Sequence, residues 1–352
     1  RNGDVWSGSS TGMLHVYSPQ TNTWRYVPDI ATANQTDKRI NNLVGLGDTL
    51  LVCTNFGLSV FRLSRFQFGD TYTKFGIFTG NVRVAVNSAT IFNGKIWAAL
   101  STGTTSRVAS ADLSNPNLLP PEAWTLQTVG STATQIRALA VFNSRLHAAT
   151  STGLYWFDDS AWNAIDSLAG KNLLAMHVAG GVLVTVDDAF NTYTLTGQNV
   201  FSRYGSPLPY SPTAVVLATD NTPVVATLGG GLLTYSTSWT SHFPNGPFSN
   251  QFVSVAVDNK GTVWGASGNQ TAKGFYRFDG TTWKSFNVSN SPALPSNDCY
   301  RVSVGCNGEI WISTWGRGVI LMPPGVDTVL AANVFGKNVG MKGIPNDTNY
   351  VV

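Results

Sequence analysis

The chain has 352 residues, of which only 12% are charged, and its formal net charge at pH 7 is +3. It contains 35 glycines and 16 prolines, and aromatic residues make up 11%. This composition is typical of a turn-rich, all-β globular protein and excludes a disordered chain, and the lack of a basic run argues against a nucleic-acid partner. We find neither an apolar run long enough for a transmembrane helix nor a signal-peptide pattern. Because the sequence begins at Arg1 without a methionine, we expect a mature or partial piece of a longer protein.

A short motif recurs along the whole chain, in which a polar turn precedes an apolar strand. The aligned strand positions are, in chain order, Trp6, Leu51, Trp97, His147, Val184, Val225, Trp264 and Trp311. They are separated by 37–50 residues, with a mean of about 44, which is the spacing expected of a structural repeat. In five copies a glycine, which tolerates positive φ, lies six residues later; these are Gly12, Gly57, Gly103, Gly153 and Gly231.

Residues 259–286 show the pattern most clearly. We predict strands at 262–266, 274–278 and 282–286, separated by turns that contain glycine. An apolar run at 252–257 supplies a fourth strand before them. Four strands in about 44 residues are typical of a β-propeller blade, so the sequence predicts an all-β fold made of propeller repeats.

Three other architectures fit less well. A β-sandwich would show closely spaced turn signals without a long repeat. The Gly-His and Trp-Asp signatures of WD40 arrays are missing, and the Gly-Gly pattern of kelch repeats is seen only at residues 180–181 and 229–231. No long segment has the period of a helix, which argues against a parallel α/β sheet.

Side chains that could carry chemistry are scattered. The histidines are His15, His147, His177 and His242. None has metal-ligand spacing to another, and His147 takes a strand position of the repeat, where we expect burial. The acidic doublets at 158–159 and 187–188 fall at predicted turns, and no nucleophile elbow, phosphate loop or dinucleotide fingerprint occurs. We therefore predict no catalytic, cofactor-binding or metal site.

The three cysteines, Cys53, Cys299 and Cys306, match no metal-binding spacing. Cys299 and Cys306 fall at opposite ends of one predicted strand, about 20 Å apart at the usual rise per residue, so we exclude a disulfide between them. We interpret all three as small buried residues.

The eleven tryptophans mostly follow the repeat. Trp6, Trp97, Trp264 and Trp311 take the aligned position, and Trp24, Trp124, Trp162, Trp239 and Trp283 fall in or near outer strands. We expect both groups to pack between blades. Trp156 and Trp315 are less regular, and Trp315 lies in a predicted loop near Arg317. Packing is the simpler interpretation of Trp315, but an exposed Trp beside an Arg could stack on a sugar or a peptide.

The repeat unit resembles the two-component-regulator propeller family, most closely in residues 313–319 (STWGRGV). A more specific resemblance is to PorZ-type proteins of the Bacteroidetes type IX secretion system. The segments that carry it keep the family's order over roughly the first 250 residues; they are 56–61 (FGLSVF), 68–72 (FGDTY), 89–93 (ATIFN), 111–118 (ADLSNPNL) and 243–247 (FPNGP).

The second resemblance implies a domain division. In PorZ-type chains about one blade precedes the point where this sequence begins. That blade, together with the six copies up to Val225, would make seven blades. We expect residues 1–243 to form a first propeller lacking its first blade, 244–250 a linker, and 251–352 the opening blades of a second propeller. Residues 349–352 would begin a further blade. The alternative is a single closed eight-bladed propeller, because closure removes exposed sheet edges.

The same resemblance implies a non-enzymatic binding and assembly protein that is exported to the outer face of the outer membrane. Its implied partners are a sortase-type protease and an outer-membrane barrel shuttle, with lipopolysaccharide as a candidate ligand. The matched residues are structural, so no ligand-binding residue is transferred. The alternative function is an oligosaccharide-sensing propeller ectodomain of a hybrid two-component system. A third class, a propeller lyase or hydrolase, would need a polar cluster at the central channel that the sequence does not predict.

Overall fold

The computed structural model describes residues 3–77, 83–131, 134–197, 201–243, 245–249, 251–268 and 272–336. Their strands form one three-stranded and seven four-stranded antiparallel sheets, and within every sheet the strands pair in chain order. Each sheet is therefore an up-and-down meander, as in a propeller blade. The predicted all-β fold of propeller repeats is confirmed. We number the sheets blade 1 to blade 8.

The first four blades contain fifteen strands. Blade 1 has β1 (Val5–Gly8), β2 (Leu14–Ser18) and β3 (Thr23–Val27). Blade 2 has β4 (Ile40–Leu46), β5 (Thr49–Thr54), β6 (Gly57–Arg62) and β7 (Gln67–Tyr72). Blade 3 has β8 (Ala85–Phe92), β9 (Lys95–Ser101), β10 (Ser106–Asp112) and β11 (Thr125–Gln127). Blade 4 has β12 (Ile136–Phe142), β13 (Arg145–Thr150), β14 (Gly153–Phe157) and β15 (Trp162–Ala164).

The last four blades contain sixteen strands. Blade 5 has β16 (Leu173–Ala179), β17 (Val182–Asp187), β18 (Thr192–Leu195) and β19 (Phe201–Arg203). Blade 6 has β20 (Pro212–Leu217), β21 (Pro223–Thr227), β22 (Leu232–Tyr235) and β23 (Trp239–His242). Blade 7 has β24 (Ser254–Val257), β25 (Val263–Ala266), β26 (Phe275–Phe278) and β27 (Trp283–Phe286). Blade 8 has β28 (Cys299–Val304), β29 (Ile310–Thr314), β30 (Val319–Met322) and β31 (Val334–Phe335).

Helical structure in the described residues is limited to short turns in the loops. The α-helix α1 has one turn, and three 3₁₀ turns follow it; their bounds are Asp29–Thr32 for α1, then Pro121–Ala123, Asp166–Leu168 and Ala331–Asn333. None of the described helices has the length and apolar character needed to span a membrane.

The aligned positions of the sequence repeat lie in equivalent strands. Seven of them fall in the second strand of a four-stranded blade, and Trp6 falls in β1 of the three-stranded blade. The five glycines that follow at a fixed distance all have positive φ, as predicted. At Gly57 a Cβ atom would lie 2.2 Å from the carbonyl oxygen of Tyr72 in the outermost strand. The glycine therefore allows the outer strand to approach the hairpin closely.

A threonine hydroxyl closes several of the same hairpins. The Oγ1 atom of Thr54 donates to the carbonyl of Gly57 at 2.9 Å, and Thr150 bonds Gly153 in the same way at 2.8 Å. Thr227 and Thr314 repeat the contact in blades 6 and 8. In blades 6 and 8 the backbone N–H of the same threonine donates to the same carbonyl, so the hydroxyl adds a second hydrogen bond at the turn.

The core lies between consecutive blades. In the described residues, a cluster of buried apolar side chains fills each interface from blade 1 to blade 6, and another fills the interface between blades 7 and 8. Trp97, for example, lies with its ring centroid 5.1 Å from that of Phe157 in the next blade. The predicted packing role of the repeat tryptophans is confirmed for Trp97 and Trp264, which are buried, and for Trp6, whose ring lies 5.3 Å from Phe61.

The chain divides into two compact units, residues 1–242 and residues 243–352. The first unit contains blades 1 to 6 and the second contains blades 7 and 8. Within the second unit, Asn245 is tied to the edge of blade 7, because its side chain accepts from the N–H of Trp283 and donates to the carbonyl of Thr281, both at 2.9 Å. The two-propeller arrangement stays a prediction, and residues 349–352 lie outside the described residues.

Candidate functional site

The first strands of the four-stranded blades all begin at one end of their unit. Each of these blades has four strands of alternating direction, so the chain returns to the same end before it enters the next blade. In the first unit two side chains bind these starts together: the Nδ2 of Asn41 donates to the carbonyl of Val86 at 2.9 Å, and that of Asn87 donates to Ile136 at 2.8 Å. We call this end of each unit its rim.

Two loop positions recur on the rim. The residue that follows the second strand donates its backbone N–H to the residue just before the first strand; the pairs are Asn55–Arg39, Ser151–Gln135, Asp188–Asn172, Leu228–Ser211 and Trp315–Asp298, at 2.9–3.1 Å. In addition, the pairing of the first strand with the second skips one residue of the first strand, which forms a β-bulge there. The skipped residues are Asn41, Asn87, Arg137, Leu174, Thr213 and Tyr300. Bulges turn a side chain out of the regular ladder and are common beside functional sites.

Four consecutive blades of the first unit carry a cation close to the start of the first strand. These are Arg39 in blade 2, Arg83 in blade 3, Arg137 in blade 4 and Lys171 in blade 5. Arg39 and Arg83 are exposed, and the other two are half-buried. Within the described residues none of the four forms an ion pair. The rim of the first unit therefore presents positive charge from several blades.

Asp37 lies beside the first two of these cations. Its carboxylate accepts from the Nδ2 of Asn55 at 2.7 Å and from the backbone N–H of Arg39 at 3.2 Å. These hydrogen bonds, that from Asn55 most of all, lower the pKa of Asp37, and the charges of Arg39 and Arg83 add to the effect. Asp37 is therefore ionised at neutral pH, and its charge attracts those of the two guanidinium groups.

Arg137 is the bulged residue of β12 and links blade 4 to blade 5. Its Nη2 donates to the Oδ1 of Asn172 at 3.4 Å, and the Nδ2 of Asn172 donates in turn to Asp188 at 2.9 Å. The Nε of Arg137 is buried without a hydrogen-bond partner among the described residues. Next to it on the rim, the ammonium of Lys171 lies 5.3 Å from the ring centroid of Tyr193. The arrangement can bind an anionic group by charge and by several N–H donors.

The sequence missed this cluster, because the four cations stand at different distances from the aligned tryptophan position. Alignment on the first buried residue of each first strand would have found it: Arg39, Arg83 and Arg137 lie within three residues of Ile40, Val86 and Ile136, respectively. That alignment requires the position of the β-bulge in each first strand, and the sequence alone does not show it.

The histidines and acidic doublets do not assemble into a site. His147 is buried between blades, as expected, with its Nδ1 3.1 Å from the carbonyl of Arg145, and burial lowers its pKa. Asp158 caps a turn, and hydrogen bonds led by the Ser160 hydroxyl lower its pKa strongly. Asp187 ends β17 and closes the turn before β18, as predicted, because its Oδ1 accepts from the backbone N–H of Asn191 at 2.8 Å. It is also buried and accepts from the hydroxyl of Tyr193 at 2.9 Å. No group of three or more potential metal ligands is found in the part of the chain that is described.

The cysteine prediction is correct for two residues and wrong for one. Cys53 and Cys299 are buried, and burial raises the pKa of both thiols well above the ordinary range. Cys306 is exposed, because β28 ends at Val304 and the residue falls in the hairpin turn. All three thiols are free.

The tryptophans of the outer strands differ in their burial. Trp124 is buried, with its Nε1 donating to the carbonyl of Leu118 at 2.9 Å, whereas Trp24 is 55% exposed, contrary to the prediction. Trp24 shares a face of blade 1 with Tyr17 and Val5, and blade 2 covers the opposite face through Trp6. The irregular Trp315 lies on the rim of the second unit and is 42% exposed.

Comparison with known proteins confirms the resemblance to PorZ-type proteins over part of the chain. Residues 14–125 match the family model described as the PorZ N-terminal β-propeller domain of the type IX secretion system. No curated protein matches the sequence. The solved structure of PorZ, described as an essential bacterial surface component of the type IX secretion system of Porphyromonas gingivalis, superposes with a TM-score of 0.72 at 18% identity, covering 95% of this chain and 45% of that one.

A second solved structure has the same fold. It is an extracellular domain assigned to a hybrid two-component system of B. thetaiotaomicron, with a TM-score of 0.52 at 16% identity, covering 93% of this chain and 44% of that one. At these identities both likenesses establish the fold alone. The chain spans less than half the length of either solved structure.

Proposed function

We propose that this chain, whose residues 14–125 match the PorZ N-terminal propeller, is part of a non-enzymatic surface protein of a type IX secretion system. The protein would be exported to the outer face of the outer membrane and take part in attaching cargo proteins there. The observation that carries the proposal is the family match, which covers most of blades 1 to 3. Rigid blades that carry variable rim loops suit a binding and assembly role.

We further propose that its ligand is the anionic glycolipid lipopolysaccharide, and that the rim of the first unit contacts it. Arg39, Arg83, Arg137 and Lys171 support this role, since four neighbouring blades direct cations to one end of the unit. Charge-assisted hydrogen bonds to phosphate or carboxylate groups contribute about 1.5–3 kcal/mol each. The partners in the proposal are a sortase-type protease and an outer-membrane barrel shuttle.

Exchange of the rim cations in the full-length protein tests the proposal in cells. A strain that expresses the Arg39→Gln, Arg83→Gln and Arg137→Gln triple variant should attach less cargo to its surface than the wild-type strain. The matched control is Arg62→Gln, Arg65→Gln and Lys95→Gln, which removes the same charge from the opposite end of blades 2 and 3. Normal cargo attachment in a strain that lacks the protein would refute the secretion role.

Binding of the purified chain to lipopolysaccharide tests the ligand separately. We expect the rim triple variant to bind about tenfold more weakly or worse, because it loses several charge-assisted contacts, and we expect the affinity of the wild-type chain to fall with added salt. Equal affinities for the rim variant and the opposite-end control would exclude the rim as the contact, even if the secretion role holds.

The second candidate function is the sensor ectodomain of a hybrid two-component system. The similarity of fold to the B. thetaiotaomicron extracellular domain is the observation that keeps it open. The complete gene discriminates between the two: a transmembrane helix followed by kinase signatures supports a sensor, and a C-terminal sorting domain supports the secretion role.

A further inference from the structure

The rim of the second unit carries an aromatic pair. Tyr300 is the bulged residue of β28, and Trp315 is the loop residue that follows β29. Their ring centroids lie 5.6 Å apart at an interplanar angle of 47°. Trp315 is 42% exposed and Tyr300 is half-buried, so both residues present part of their surface at one end of blade 8.

The exposure of these two positions follows from their place in the blade. In blades 2, 4 and 5, which have a neighbouring blade on each side, the residues equivalent to Trp315 are Asn55, Ser151 and Asp188, all half-buried or exposed. The bulged residues of the same blades are Asn41, Arg137 and Leu174, all half-buried. The rim therefore stays accessible inside a continuous series of blades. Of the described pairs, the pair in blade 8 is the one built from two aromatic rings.

The loop that carries Trp315 is held firmly. The backbone N–H of Trp315 donates to the carbonyl of Asp298 at 2.9 Å. The backbone N–H and the Oγ1 of Thr314 both donate to the carbonyl of Gly318, at 3.0 and 2.8 Å. Gly318 has φ +85° and lies so close to β31 that a Cβ would be 2.1 Å from the carbonyl oxygen of Phe335. Because the loop is already ordered, a ligand that binds to Trp315 does not have to order it.

The chemistry around the pair favours a sugar. The face of an indole ring is flat and electron-rich, and it attracts the C–H groups that cover one face of a pyranose ring. Arg301 follows Tyr300 directly and Arg317 lies two residues after Trp315, and both are exposed. Guanidinium groups are donors suited to the hydroxyl and carboxylate oxygens of a sugar. A peptide would instead be recognised along a strand edge or a groove with successive side-chain pockets.

We propose that Tyr300 and Trp315 form a carbohydrate-binding platform for a pyranose ring, and that Arg301 and Arg317 give it a preference for acidic sugars such as uronic acids. The site lies on the second unit and involves none of the cations proposed to contact lipopolysaccharide. It does not depend on the role in secretion.

Titration of the purified chain with defined oligosaccharides tests the platform. The probes are a uronic-acid oligosaccharide and a neutral hexose oligosaccharide of equal length, with binding measured by calorimetry and by Trp fluorescence. We expect the acidic probe to bind more tightly, Trp315→Ala to weaken it at least about tenfold, and Trp315→Phe to restore most of the affinity. The control is Trp24→Ala, since Trp24 is also an exposed tryptophan but lies on blade 1.

Three results would overturn parts of this proposal. If the folded wild-type chain binds neither probe, or if Trp315→Ala and Tyr300→Ala leave binding unchanged while their thermal transitions match the wild type, the platform is wrong. Equal affinity for the two probes would exclude the preference for acidic sugars. Binding of peptides, but not of either sugar, that is lost in Trp315→Ala would replace the proposed ligand class with a peptide.

Discussion

Among single residues, Trp97 shows how a blade is joined to the next. Its side chain is 3% exposed, its Nε1 donates to the carbonyl of Phe92 at 3.1 Å, and its ring contacts Phe157 of blade 4. Replacement of Trp97 by Ala removes a large buried ring and leaves a cavity, so we expect the free energy of unfolding to fall by roughly 3–5 kcal/mol in urea titrations.

Trp24→Ala is the matched control for that experiment. The ring is 55% exposed, and its partner is Tyr17 on the same face of blade 1, at a centroid distance of 5.0 Å. We expect a loss below about 1 kcal/mol, as for most exposed positions. Similar losses at Trp97 and Trp24 would contradict the packing between blades 3 and 4.

His147 makes stability depend on pH. It takes the place that tryptophan has in other repeats, and burial lowers its pKa below the ordinary value of 6.5. The folded protein therefore favours the neutral ring, and this contribution to stability is complete above pH 6.5 and decreases as the pH falls below that value. We expect the free energy of unfolding to be lower at about pH 5 than at about pH 8.

The variant His147→Phe isolates this effect. Phenylalanine keeps an aromatic ring next to Phe142, which lies 5.6 Å from the imidazole, but it does not titrate. The difference in stability between about pH 5 and about pH 8 should become smaller in the variant. His177, whose pKa is also lowered by burial, is present in both proteins and so cancels in the comparison. An unchanged pH dependence would mean that His147 is accessible to water in the fold.

At the scale of strands and turns, a glycine decides how closely the outer strand can approach the hairpin. Gly274 has φ +89°, and a Cβ there would lie 1.9 Å from the carbonyl oxygen of Phe286 in β27. Gly274→Ala should lower the free energy of unfolding by at least about 2 kcal/mol more than Gly280→Ala does, because only the substitution at Gly274 adds a backbone clash to the strain of positive φ. Gly280 has φ +97° with open space around it, so it controls for the strain within the same blade. Thermal unfolding of both variants measures the difference.

The sequence predicts strands and tight turns well, because the residues that determine them lie within the strands and turns themselves. In blade 7 the three strands predicted at 262–266, 274–278 and 282–286 are found at Val263–Ala266, Phe275–Phe278 and Trp283–Phe286, so each begins one residue late. Alternating apolar residues and turn glycines contain that information directly. The outer strand of blade 1 was the exception: its pattern does not show which face of the sheet is covered, and Trp24 is exposed for that reason.

The rim could not be predicted in the same way, because it depends on contacts between repeats. Arg39 and Arg83 lie 44 positions apart in sequence, and the hydrogen bond from the Nη2 of Arg83 to the hydroxyl of Thr36, which links their two loops, is seen only in the fold. Tyr300 reaches the rim because a bulge shifts the register of β28 by one residue. The sequence did single out Trp315 as an irregular tryptophan near Arg317, but its pairing with Tyr300 is seen only in the fold.

For the whole molecule, thermal unfolding distinguishes two separate propellers from one closed eight-bladed propeller. The chain divides into two compact units at residues 242 and 243, each with its own buried clusters. If the units belong to separate propellers, we expect two thermal transitions in calorimetry, because separate cores unfold independently. A single closed eight-bladed propeller would unfold in one transition.

Two of the variants above make this experiment decisive. Trp97→Ala changes the core of the first unit, and Gly274→Ala changes a hairpin of the second. With independent units, each variant should lower the midpoint of one transition and leave the other in place, since mutations without shared partners affect only their own cooperative unit. If both variants instead lower the same single midpoint, the blades share one cooperative core and the division into two propellers is wrong.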